Sequence, residues 1–233
     1  MKNNKIEHIQ AVIFDIDGTL VESTNVWHDI DVEYFKLLEI PMPPTIQKDI
    51  EGMSFTEVAV YFKETFQLTE KTIDDIKLDW VRMAYEKYLY EIKAKRGARE
   101  YMSFLKDKGV KIGCATSNEK SLAMAALQPH GFKEKVDSVR TGCEVNAGKP
   151  APDIYLKVAE DLGVEPKNCL VFEDIPNGMR AGKAAGMTVI GIEDIHSNDY
   201  KEEIDAICDY FIKDYFDMLE GKIEVEYEIS SGK

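Results

Sequence analysis

"AVIFDIDGTL", residues 11–20, is the stretch on which the fold turns. Four apolar positions, Ala11 to Phe14, run straight into Asp15. Ile16, a second carboxylate at Asp17, Gly18 and Thr19 follow. A short continuous apolar run of this kind reads as a strand buried on both faces, and such strands belong to parallel sheets. Two carboxylates at the end of a buried strand repel each other and lose their hydration. A chain tolerates that arrangement where positive charge is brought to the same place.

Outward from this stretch, short β-rich apolar runs recur at 110–117, 135–142, 169–175, 188–194 and 209–214. Helix-like segments fall between them at 97–108, 118–128, 151–162, 177–185, 199–206 and 214–220. Strands alternating with helices of this length read as βαβ units on a parallel sheet. From Glu22 to Ile92 the rhythm stops. Residues 25–40 carry apolar side chains at helical spacing, and 54–66 opens on Ser54 with Glu57 three residues on, a capping box. Residues 69–93 repeat Ile73, Ile76, Trp80, Met83, Tyr88 and Ile92 by threes and fours. The expected architecture is α/β: a doubly wound parallel-sheet (Rossmann-like) core formed by 1–21 and 93–233, with an α-helical cap domain, 22–92, inserted after the first strand. The tail, 222–233, alternates apolar residues with Glu, as an added edge strand or a frayed end.

The formal net charge of −14 over 233 residues argues against a nucleic-acid partner, which requires a basic footprint. It argues equally against an anionic membrane surface. No apolar run is long enough to span a bilayer, and "MKNNKIEHIQ" has no apolar run after its lysines of the kind a secretory signal needs. The four cysteines, Cys114, Cys143, Cys169 and Cys208, form no C-x-x-C pair. They read as thiols in a reducing compartment, so the expectation is a cytoplasmic protein.

In open parallel sheets, ligands bind beyond the carboxyl ends of the strands. The strand candidates carry Asp15 and Asp17, then Thr116, Ser117 and Asn118, then Glu173 and Asp174 at those ends; Lys149 stands in a turn before a helix. Clustered acids suit a hard cation such as Mg²⁺, which takes one or two carboxylates plus phosphate oxygens. Asp15 and Asp174 are the best ligand candidates, joined by the carbonyl of Asp17, with Glu173 binding directly or through water. Lys149, Thr116 and the backbone N–H groups near Ser117 and Asn118 are then the donors to a phosphate. Positions two apart in extended chain project to one side. Asp15 can therefore attack phosphorus while Asp17 handles a proton beside it, with Gly18 giving the backbone freedom to turn.

With these residues in place, "FDIDGTLVES" (14–23), "CATSN" (114–118), "GKPAPDIY" (148–155) and "VFEDIPNGMRAGKAAGM" (171–187) resemble the four motifs of the haloacid dehalogenase-like hydrolases. The likeness covers essentially the whole chain. It is strongest to the branch of β-phosphoglucomutase and small-metabolite phosphatases, which carries a helical cap after the first strand. The resemblance implies Asp15 as nucleophile and Mg²⁺ ligand, Asp17 as general acid/base, and Thr116 as the hydroxyl on the transferring group, with Ser117 and Asn118 beside it. It implies Lys149 as the lysine on both nucleophile and phosphate, and Glu173 and Asp174 as the acidic metal pair. Phe55 stands where the mutase has a phosphate-gripping cap arginine, and Trp27, followed by His28, where it has a cap histidine. Trp27, His28 and Phe55 are expected to line the specificity pocket. Residues 22–92 hold fifteen Asp and Glu against seven Lys and Arg, a lid poorly suited to a substrate with several phosphates. The implied activity is a Mg²⁺-dependent phosphatase of a small, sugar-phosphate-like ester, working through an aspartyl-phosphate as a monomer or weak homo-oligomer. A phosphosugar mutase is the alternative, and a phosphate- or metal-binding module without turnover the third reading.

Overall fold

The structure is a computed structural model and describes residues 5–195 and 199–229. In chain order the strands are β1 (Lys5–Ile9), β2 (Ala11–Phe14), β3 (Lys111–Thr116), β4 (Ser138–Thr141), β5 (Cys169–Glu173), β6 (Thr188–Ile192), β7 (Tyr210–Ile212) and β8 (Glu224–Tyr227). The helices are α1 (Thr24–Leu37), α2 (Ile46–Ile50), α3 (Phe55–Thr65), α4 (Ile73–Tyr90), α5 (Ala98–Asp107), α6 (Lys120–Leu127), α7 (Asp153–Leu162), α8 (Pro176–Ala184), α9 (Lys201–Ile207) and α10 (Phe216–Leu219).

Six strands form one parallel sheet in the order β4-β3-β2-β5-β6-β7. The apolar run at 11–14 is central, pairing with β3 on one side and β5 on the other. Its side chains alternate between two cores. Val12 and Phe14 join Tyr101, Phe172 and Tyr215 on one face, while Ala11 and Ile13 join Val158 and Val171 on the other. Burial on both faces is the physical reason the run contains no polar residue. The chain builds outward from β2 through β3 to β4, then crosses to β5, β6 and β7. The strand order therefore reverses at β2, where a crevice opens at the carboxyl ends.

The strand-free interval is helical throughout. Tyr34, Phe35, Phe62 and Trp80 from α1, α3 and α4 pack ring against ring, with centroids 5.0–6.1 Å apart. Helix α3 starts where its capping box directs: Ser54 Oγ accepts the Glu57 N–H at 3.3 Å, and Glu57 Oε2 accepts the Ser54 N–H at 2.7 Å. The helices connect to the sheet through two chain segments that pair with each other, Glu22 N donating to Lys93 O and Lys95 N to Leu20 O, both at 2.8 Å. Helix α4 packs against α1 and α3 and also against α6 of the sheet region.

Two elements depart from the sequence reading. The short helix α2 follows the proline-rich stretch "PMPP" (41–44), and strand β1 precedes β2. Strand β1 pairs in parallel with β8, so the alternating tail closes a separate two-stranded sheet and does not extend the main one; residues 230–233 lie outside the described residues. Strand β1 is hard to read because a register shift between Ile6 and Ile9, with His8 at φ 64°, puts its buried residues three apart and breaks the period of two. Cys114, Cys143 and Cys169 are free thiols; Cys114, Cys169 and Cys208 are buried and Cys143 is exposed. Among the described residues no helix is long and apolar enough to cross a membrane.

Candidate active site

Three strands end at one place. Asp15 follows β2, Thr116 closes β3 and Glu173 closes β5. The Lys149 ammonium enters from the loop before α7, donating to Asp15 Oδ1 at 2.6 Å, Glu173 Oε1 at 2.5 Å and the Ala115 carbonyl at 3.2 Å. Glu173 is fully buried; its Oε1 also accepts the Tyr155 hydroxyl at 2.7 Å, and its Oε2 the Asp174 N–H at 3.1 Å. Asp174 Oδ1 accepts the Thr19 hydroxyl at 2.8 Å.

Burial raises Asp15 well above the usual carboxylate range; Lys149 opposes the shift, while Glu173 and Asp17 add to it. Asp174 is raised in the same way, by burial and then by Glu173 and Asp15. Burial alone would lower Lys149, but the two carboxylates beside it outweigh that and leave its ammonium held above its ordinary value. Asp15, Glu173 and Asp174 each offer one oxygen within 4.8 Å of the others. Three buried carboxylates facing one ammonium leave negative charge uncompensated. That excess, on oxygen donors alone, fits a hard divalent cation.

Asp17 stands at the edge of this cluster and faces the helices. Its Oδ1 accepts the Ser23 hydroxyl at 2.7 Å and the Tyr88 hydroxyl from α4; its Oδ2 accepts Asn118 Nδ2 at 3.1 Å and lies 3.5 Å from Thr116 Oγ1. Tyr88 in turn accepts Trp27 Nε1 at 2.6 Å and Asn118 Nδ2 at 3.0 Å. Burial and the Asp17 charge push its phenol well up, so it stays protonated and donates. Gly18 has φ 80°, and a Cβ there would stand 2.1 Å from Asp174 Oδ2, so this turn closes only around glycine.

Asp15, Asp17, Thr116, Ser117, Asn118, Lys149 and Asp174 line one cavity of about 250 Å³, together with Trp27 and Phe55 from the helices. Glu173 sits behind Lys149 and does not line it. His28 is exposed on α1 and lies outside the cavity lining, because one step along a helix turns a side chain about 100° from Trp27. The Phe55 ring packs edge-on against Trp27 at 6.0 Å and Trp80 at 5.5 Å. Sequence reasoning left Tyr88, Tyr155 and Ser23 without a part in the site. The two tyrosines carry only a weak signal, a hydroxyl on an otherwise apolar helix face, and it does not single them out from Tyr34, whose buried hydroxyl has no hydrogen-bond partner among the described residues.

The haloacid dehalogenase-like hydrolase family model matches residues 9–186, a span that takes in every strand end described above. A phosphorylated carbohydrates phosphatase from Thermotoga maritima is 30% identical over 206 residues, covering 85% of this chain and 91% of that protein. Hexitol phosphatase B from Escherichia coli is 25% identical over 187 residues, covering 78% of this chain and 82% of that one. The crystal structure of a hydrolase from Pseudomonas syringae superposes with a TM-score of 0.76 at 26% identity, over 91% of this chain and 96% of that one. The matched span, the parallel sheet and the acid cluster at its carboxyl end agree: the chain belongs to the haloacid dehalogenase-like hydrolases.

Proposed function

We propose that this protein is a Mg²⁺-dependent phosphatase of small, sugar-phosphate-like monoesters, working through an aspartyl-phosphate on Asp15. The observation that carries the reading is the buried contact of 2.6 Å between Lys149 and Asp15, with Asp17 held by four neighbours at the mouth of the same crevice. The core, 1–21 and 93–233, supplies the chemistry, and the cap, 22–92, closes over it. Two relatives named for phosphorylated carbohydrates and hexitol phosphates support the substrate class.

Asp15 and Asp174, with the main-chain carbonyl of Asp17, are the groups to hold Mg²⁺; Glu173, whose oxygens are taken up by Lys149, Tyr155 and the Asp174 N–H, serves the ion from behind. An ion held there would supply positive charge against the phosphate oxygens. An Asp15 carboxylate oxygen attacks phosphorus, and the bond to the leaving alkoxide breaks while Asp17 gives that oxygen its proton. Asp17 then takes a proton from water, whose oxygen attacks the same phosphorus and releases Asp15 and inorganic phosphate. Lys149, Thr116 and the N–H groups around Ser117 and Asn118 hold the phosphoryl group in line. Gly18 admits the close approach of Asp174 to the turn that carries Asp17.

Phe55 weighs against the mutase alternative. A mutase has to retain a bisphosphate while it reorients, and the cap side of this cavity offers Phe55, Trp27 and Trp80 where a cation would be needed. The test is release of inorganic phosphate from a panel of monoesters with and without Mg²⁺. Asp15→Asn is expected to cut turnover at least ~1000-fold with the fold retained. Turnover that survives this substitution removes Asp15 as nucleophile.

A further inference from the structure

The cavity has a second polar wall that the chemistry at Asp15 does not use. Asp31 lies on α1 one turn beyond Trp27, so the two share a helix face, and both line the cavity. Asp31 is only 5% exposed. Its Oδ2 accepts Gln47 Nε2 from α2. Gln47 also lines the cavity, as do the rings of Trp27, Phe55 and Trp80. A carboxylate held this far from solvent is costly unless donors meet it.

We propose that Asp31 and Gln47 form the specificity-determining wall of this site, reading hydroxyl groups of the leaving alcohol, so that the preferred substrates are monophosphates of neutral polyhydroxylated alcohols. Vicinal hydroxyls supply donors for the Asp31 carboxylate, while the side-chain carbonyl and amide of Gln47 match hydroxyls of either polarity. Aromatic faces at Trp27 and Trp80 accept the C–H face of a sugar or hexitol, which is apolar where its hydroxyls are not. The same wall repels a second anion. Glu51 adds another carboxylate to the cavity, bound through Oε2 to the Tyr200 hydroxyl at 2.9 Å, and Lys149 is its only cation among the lining residues described. A leaving group with a carboxylate or a second phosphate would meet Asp31 and Glu51 with no cation lining the cavity beside them, and like-charge contact of this kind costs affinity directly.

This proposal rests on the phosphatase reading, and its test uses binding as well as turnover so that the two fail separately. The probes are hexitol 6-phosphate, phenyl phosphate and phosphoglycolate, titrated calorimetrically with Mg²⁺ into Asp15→Asn protein, which stops turnover. Hexitol 6-phosphate is expected to bind at least tenfold tighter than phosphoglycolate. Adding Asp31→Asn, which keeps the shape and removes the charge, is expected to shrink that ratio to threefold or less. Gln47→Leu, which leaves the carboxylate in place, is expected to weaken the hexitol ester at least fivefold relative to phenyl phosphate and serves if the Asp31 variant does not fold. Equal binding of the three esters, or ratios unmoved by both substitutions, overturns the assignment. Absence of phosphate release by the unsubstituted protein from every ester would instead refute the phosphatase reading, and the binding ratios would still decide the role of Asp31.

Discussion

Gly18 and Tyr88 show how narrowly single residues are constrained around Asp17. At Gly18 the left-handed backbone and the Asp174 carboxylate leave no space for a methyl group. Gly18→Ala is expected to destabilise the fold by about 1–3 kcal/mol, read as a lower thermal midpoint, through backbone strain and displacement of a buried acid. Tyr88 is one point at which the helical insert meets the candidate site, its hydroxyl linking Asp17, Asn118 and Trp27. Tyr88→Phe removes a donor to Asp17 and keeps the ring. It is expected to lower kcat about tenfold with little change in KM, since the substitution alters the orientation of the proton-transfer group and not the binding wall. An unchanged kcat would assign Tyr88 to packing alone. The acids and Lys149 were legible from their order along the chain, because strand ends in a parallel sheet converge. Tyr88 and Tyr155 were not, because their spacing is that of any buried helix residue and only the tertiary partner reveals the use of the hydroxyl.

At the scale of elements, α1 carries a conflict between stability and use. Burial pushes Asp31 up to about 6, with Gln47 and His28 pulling it partly back. Its unfolded value is near 4, so between about pH 4 and 6 the folded state holds the proton more tightly than the unfolded chain does. Stability from this group therefore falls as pH rises through that window, and the whole penalty stands above pH 6. Asp31→Asn is expected to raise stability by about 2–3 kcal/mol at pH 7, with the gain vanishing towards pH 4 in denaturant titrations. A gain independent of pH would mean that charge burial is not its source. A stabilising loss of a cavity residue is what a functional acid predicts. Helix α3 poses no such conflict. Ser54→Ala removes the acceptor of the Glu57 N–H and is expected to cost about 1 kcal/mol, measurable as a shift in denaturation midpoint. That capping box was readable from four letters of sequence, whereas α2 and β1 were hidden, one by its length of five residues and the other by its irregular register.

Across the whole molecule the dominant electrostatic fact is a surplus of acid, from the net −14 of the chain down to the cluster of Asp15, Glu173 and Asp174, of which Lys149 pairs with the first two. A divalent cation bound only by the folded state would relieve this locally. Saturating Mg²⁺ is expected to raise the melting midpoint by about 5–10 °C, chelation to reverse it, and Asp174→Asn to abolish the shift. A shift that survives in Asp174→Asn would move the ion elsewhere. The fold class followed from the sequence alone, because burial on both faces forces an unbroken apolar strand and helical packing forces a different period, and both patterns are local. So did the acids, the lysine and the hydroxyl at the carboxyl end, since βαβ connectivity delivers strand ends to one edge whatever lies between. Only the tertiary structure decided which helical residues reach them: that Tyr88 bonds Asp17, that Asp31 faces the cavity and His28 does not, that Glu173 braces Lys149, and that the tail pairs with the first strand. Those are contacts between segments far apart in the chain, fixed by how helices dock, and no local pattern encodes the angle at which they do so.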